Sequence, residues 1–149
     1  MADIRIKVAK DKAKLVKALR SGEGSTGPFQ TYADVVAFGA AFGFSKRKRV
    51  PFDQISRGNP DPIPADQFKN RSLIDLIAVA ETHDPNILSS IDEKLQEKAT
   101  IFEEYANGGF EILESYISGV IDVSKQILLL VKSGEVKIDS EDLDVLNFL

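Results

Sequence analysis

Ile101-Phe102-Glu103-Glu104-Tyr105-Ala106-Asn107-Gly108-Gly109-Phe110-Glu111-Ile112-Leu113 is the stretch on which the reading of the fold turns. On its N-terminal side, Leu95, Ile101, Phe102 and Tyr105 predict a helix from about Asp92 to Ala106, rich in surface charge. On its C-terminal side, Ile112, Leu113, Tyr116, Ile117, Val120, Ile121, Ser124, Ile127, Leu128 and Val131 recur at helical spacing and predict the longest helix, Phe110 to Lys132, as the spine of the core. Asn107-Gly108-Gly109, between them, reads as a helix stop. Ser133-Gly134 ends the second helix. The acidic tail from Glu135 to Leu149 closes on Val145, Leu146, Phe148 and Leu149, expected to dock as a last short element or to fray.

Upstream, Asp66 to Thr82 carries Phe68, Leu73, Ile74, Leu76, Ile77, Val79 and Ala80, the wide apolar face of a core helix. Asp84-Pro85 then supplies an N-cap followed by proline at the first helical position. Pro51, Pro60, Pro62 and Pro64, with Gly58 and Asn59 among them, make residues 50–65 an irregular connection. Before it, Thr31 is a candidate N-cap, with Asp34 three residues on, for a helix through Val35, Val36, Phe38 and Phe42. Its Gly39, Ala40, Ala41 and Gly43 would admit another backbone at short range. Lys10 to Arg20 predicts an amphipathic helix, Ser21 to Pro28 a glycine-rich loop. Ile4, Ile6 and Val8 alternate with Arg5 and Lys7 as in a short half-buried strand. The expected fold is mainly α: a multi-helix orthogonal or bundle-like arrangement with one short N-terminal β-strand. A single domain over residues 1–149 is the expectation, since 149 residues suffice to close one core.

Charge divides the chain. Residues 1–50 hold eleven Lys or Arg against four Asp or Glu, and residues 51–149 hold eight against nineteen. The basic third, the Pro-rich connection at 51–65 and the acidic helical part at 66–149 are therefore distinct in character. Either an anionic partner for the basic part or attraction between the two parts explains the asymmetry.

Catalysis finds little support. There is no cysteine and one histidine, which removes thiolate chemistry and the usual zinc ligand sets. His83 stands at a predicted helix end, where it favours the negative end of the dipole, and no Gly-x-Ser-x-Gly elbow accompanies it. Glu103 and Glu104 are adjacent, point to different sides of a helix and read as a solvated face. Gly22 to Gly27 has a Walker-like spacing, but Pro28-Phe29 stands where Lys and Ser or Thr are required. Pro60-Asp61 with Asp66-Gln67-Phe68-Lys69 lacks the Asp-x-Lys triplet of a restriction-nuclease core. The expectation is a non-enzyme without cofactor or metal. With no signal-peptide or membrane-length apolar stretch, a cytoplasmic location is expected.

Binding is the stronger reading. Strand, helix, loop and helix is the element order of a ribbon-helix-helix DNA-binding protein, in which two chains pair their strands in the major groove. Arg5 and Lys7 would then meet base edges. An edge strand with lysines outward also prevents aggregation. Lys46-Arg47-Lys48-Arg49 adds four consecutive cations suited to phosphate, or to a solvated helix end. These six residues are the candidate nucleic-acid-binding set.

Ile4-Arg5-Ile6-Lys7-Val8-Ala9, Gly27-Pro28-Phe29-Gln30-Thr31-Tyr32-Ala33-Asp34-Val35, Lys46-Arg47-Lys48-Arg49-Val50-Pro51 and Ile101 to Gly109 resemble the small proteins called DNA phosphorothioation-associated protein 4, or dnd system-associated protein 4. The resemblance spans most of the chain, and its most specific piece is Gly-Pro-Phe-Gln-Thr-Tyr-Ala-Asp. It implies a bacterial or archaeal defence neighbourhood in which other proteins place sulfur in the DNA backbone and restriction partners attack unmodified DNA. It brings no catalytic motif. Expected partners are DNA, other proteins of that system and further copies of the chain; a pure protein-interaction adaptor, with the acidic helices as working surface, is the alternative.

Overall fold

The computed structural model describes residues 4–22, 25–117 and 122–132. The protein is mainly α with a short N-terminal strand. Strand β1 (Arg5–Ile6) leads through a 3-10 turn at Lys10–Lys12 into α1 (Ala13–Leu19). A two-residue hairpin, β2 (Ser21–Gly22) and β3 (Ser25–Thr26), stands in the segment expected to be plain loop. Then come α2 (Tyr32–Ser45), β4 (Ile63–Pro64), α3 (Arg71–Thr82), α4 (Asp92–Ile117) and α5 (Val123–Lys132).

The N-terminal signals act as the residue types dictate. Thr31 is extended and its Oγ1 accepts from the Asp34 amide at 3.1 Å, capping α2. Asp84 accepts from the Asn86 amide at 2.9 Å, opening a 3-10 turn at Pro85–Leu88. α3 begins five residues later than expected: Ala65–Gln67 is a 3-10 turn and Phe68 is extended, which seats its ring edge-on against Phe102 at 5.5 Å. His83 closes α3 in the left-handed conformation, its N–H donating to the Val79 carbonyl at 2.7 Å.

The largest correction concerns Asn107-Gly108-Gly109. These residues do not stop a helix; α4 runs unbroken from Asp92 to Ile117 and the expected 110–132 helix does not exist as such. The glycines are there for contact. A Cβ on Gly109 would overlap the Gly39 carbonyl, one on Gly43 the Tyr105 carbonyl, and one on Gly108 the Lys48 carbonyl. Gly39 itself faces the buried Phe110 ring. The small residues of α2 thus find their close neighbour in α4. Each helical glycine costs about 1 kcal/mol relative to alanine; the burial of Phe42, Phe102 and Phe110 offsets this at about 2–3 kcal/mol per side chain. The spine is the α2–α4 pair. α2 is apolar nearly all round, as a central helix must be, and buries Val35, Val36, Ala40 and Phe42.

β1 is paired within the chain. Arg5 and Ile6 lie opposite Pro64 and Ile63 in antiparallel register, and Ser56 and Lys10 continue the ladder through Ser56 N–H to Val8 O at 2.8 Å and Lys10 N–H to Gln54 O at 2.9 Å. The other edge is met by a buried side chain, for the Lys7 amide donates to Glu103 Oε2 at 2.6 Å. Pairing with β4 takes one edge of β1, and just beyond the strand the Lys7 amide is bonded to Glu103, so a ribbon formed by two chains would have to displace that bond. The acidic tail expected to dock or fray lies outside the described residues.

Candidate nucleic-acid interface

The run Lys46 to Arg49 is positioned by the way α2 ends. The Arg47 N–H donates to Phe44 O at 3.0 Å and the Lys48 N–H to Gly43 O at 2.9 Å, and Arg47 has φ 54°. This is the pair of reverse bonds of a Schellman ending with Arg47 at the left-handed position, where glycine is the usual residue. Cations suit a helix C-terminus, where the unsatisfied carbonyls carry partial negative charge.

Beyond the turn the chain lies along α4. The Val50 N–H donates to Glu104 O at 3.0 Å, and Asn107 Nδ2 to Val50 O at 3.0 Å. Arg49 is held twice, by Glu104 Oε1 at 2.7 Å and by Glu81 Oε1 of α3 at 3.7 Å. Lys48 Nζ reaches Glu111 Oε1 at 3.7 Å. Lys7 Nζ lies 3.4 Å from Glu103 Oε2. Adjacent α4 carboxylates thus hold Lys7 and Arg49, on different sides of the helix as their spacing requires. Glu103 is not a solvated residue. It is buried, and that burial pushes its pKa above 4.5 against the opposing pull of the Lys7 amide and ammonium. Tyr105 donates to Glu81, and burial, followed by that bond and the Glu81 charge, pushes its hydroxyl up to about 12.

Of the six candidate cations, Lys7, Lys48 and Arg49 are therefore seen engaged by carboxylates among the described residues. Arg5 is exposed on β1. Lys46 and Arg47 are exposed and enter no ion pair among the described residues; the Lys46 ammonium lies 5.9 Å from the Phe42 ring and the Arg47 guanidinium 4.4 Å from the Phe44 ring. Sequence reasoning missed Glu81, Glu104 and Glu111 as the partners of this run. Their signal was the seven-residue spacing of Glu104 and Glu111, two turns apart on one face of a helix. Among the described residues no group of three His, Asp or Glu is placed to hold a metal ion, and no helix is long and apolar enough to cross a membrane.

The sequence profile of the family described as DNA sulphur modification system-associated protein 4 matches residues 5–148. The chain belongs to this family. Association with a DNA sulphur modification system follows from that membership, and it agrees with the resemblance in the Gly27–Val35 and Lys46–Pro51 segments. Comparison with curated proteins and with solved structures gave no match.

Proposed function

We propose that this member of the DNA sulphur modification system-associated family is a non-enzymatic accessory protein that binds the system's DNA, or DNA held by its processing complex, through the basic corner at the end of α2. The observation that carries the reading is that Lys46 and Arg47 protrude without a carboxylate partner among the described residues, while their neighbours Lys48 and Arg49 anchor the corner to α3 and α4. Two phosphate contacts give a salt slope of only about −1.8, so the corner supplements binding by a larger assembly, which is an accessory role.

The test is binding of the full chain to matched duplexes, one with a phosphorothioate linkage and one without, over a salt series, beside a Lys46→Ala/Arg47→Ala variant. Salt-sensitive binding that weakens in the variant supports the reading. A folded wild type that binds neither duplex at low salt overturns it.

A specific feature favours the adaptor alternative. Leu128, Leu129 and Val131 of α5 are 53%, 51% and 46% exposed, and apolar side chains exposed together mark interaction surfaces when they form one patch. Under that reading, substitution of these residues abolishes co-purification with other proteins of the system, and the wild type binds neither duplex.

A further inference from the structure

We infer that Arg47 is the residue that grips the nucleic-acid backbone, offering its guanidinium to a single diester linkage from a strained turn. This rests on the proposed DNA contact and narrows it to one side chain and one ligand group.

The backbone supplies the first argument. A non-glycine residue at φ 54° is disfavoured because its Cβ crowds the following carbonyl. The reverse bonds that close α2 come from the main-chain amides of Arg47 and Lys48, and glycine would form them without the crowding. A cation suits the end of α2, but lysine would meet that need as well, and the main-chain turn itself does not call for a planar guanidinium. Backbone strain of this kind gathers where a side chain is needed at a set place.

The side chain supplies the second. Arg47 Cζ lies 4.4 Å from the centre of the Phe44 ring, and that ring is braced edge-on by Tyr105 at 5.3 Å and 78°. A guanidinium held over an aromatic face keeps its in-plane N–H donors for an anion, and its planar fork matches two oxygens of a phosphate. Arg49, two residues on, has the opposite fate: its donors are taken by Glu104 and Glu81. These acids also limit the local field. Lys48 and Arg49 are matched by Glu81, Glu104 and Glu111, which leaves the positive charge of the corner to Lys46 and Arg47 and suits it to one linkage better than to a long tract of backbone.

The experiment uses the full chain, fluorescence anisotropy with unmodified and phosphorothioate-bearing duplexes, and the variants Arg47→Gly, Arg47→Ala, Arg47→Lys and Lys46→Ala. Arg47→Gly and Arg47→Ala are expected to weaken binding equally, each reducing the salt slope by about 0.9, although Arg47→Gly melts at the higher temperature of the two. Arg47→Lys keeps the charge and loses the two-oxygen fork, so it binds between wild type and alanine. Loss of equal size on both duplexes assigns the contact to the diester charge; a larger loss on the modified duplex assigns it to the sulfur-bearing linkage. Binding that recovers in Arg47→Gly along with stability makes Arg47 a structural residue and overturns the inference. Binding lost in Lys46→Ala but kept in every Arg47 variant overturns the inference alone, whereas a wild type that binds neither duplex overturns the underlying DNA reading.

Discussion

Gly43 and Gly109 face each other across the α2–α4 contact so closely that a Cβ on the first would stand 2.8 Å from the amide nitrogen of the second, and a Cβ on the second 2.9 Å from that of the first. The obstacle in both directions is backbone, which cannot rotate aside. Gly43→Ala and Gly109→Ala should each destabilise by about 3 kcal/mol, the upper end for overpacking. Gly39→Ala meets the Phe110 ring instead, a side chain that can yield in part, and should cost about 1–2 kcal/mol. Urea unfolding of the three variants checks the order; a Gly109→Ala protein as stable as wild type would show that the helices do not touch here.

The same pair shows what could be read from the sequence and what could not. The small residues of α2 were legible as a surface for close approach, and Thr31 and Asp84-Pro85 as starts, because each signal is local. Asn107-Gly108-Gly109 was misread because a chain that turns and a chain closely approached both require glycine, and only the tertiary partner tells them apart. The candidate site divides likewise. Opposite charge on the two parts of the chain was visible, and the attraction it suggested exists in the pairs of Lys7, Lys48 and Arg49. The pairing of Arg49 with Glu104, 55 positions away, was not visible, since nothing local distinguishes a cation that closes the fold from one that protrudes.

Asn107 is buried at 4% exposure, donates to Val50 O and leaves Oδ1 without a hydrogen-bond partner. Asn107→Ala removes the donor that fastens the segment after the basic run. The expected loss is about 0.5–1.5 kcal/mol, the net worth of one hydrogen bond to a half-buried carbonyl. Amide hydrogen exchange should also rise at Val50, whose N–H donates to Glu104 O. A stability loss with unchanged exchange there would place the effect elsewhere.

Glu103 makes stability depend on pH with a definite sign. Its folded pKa is raised above 4.5, chiefly by burial. Between 4.5 and that raised value the native protein holds a proton that the unfolded chain has released. Over this window the group's contribution to stability therefore grows as pH falls, and it is lost as pH rises through the folded value. Glu103→Gln cannot titrate, so wild-type stability minus that of the variant should shift in favour of wild type on acidification. Denaturation midpoints of both proteins across the weakly acidic range measure it; parallel profiles would mean that Lys7 fully compensates the buried charge.

Tyr105 sets the alkaline side. Burial and the bond to Glu81 hold its hydroxyl up to about 12, against an ordinary value of 10.0. From pH 10 to 12 the folded state keeps a proton that the unfolded state loses, so this contribution to stability declines as pH rises. Tyr105→Phe removes both the titration and the hydrogen bond to Glu81, a bond to a charged acceptor worth about 1.5–3 kcal/mol. The variant should be less stable at neutral pH and show a shallower alkaline decline. Phenolate absorbance near the ultraviolet edge gives an independent reading: the wild type should lose its late-titrating component on substitution. If that component persists in Tyr105→Phe, the late group is another tyrosine and the Glu81 bond does not govern the titration.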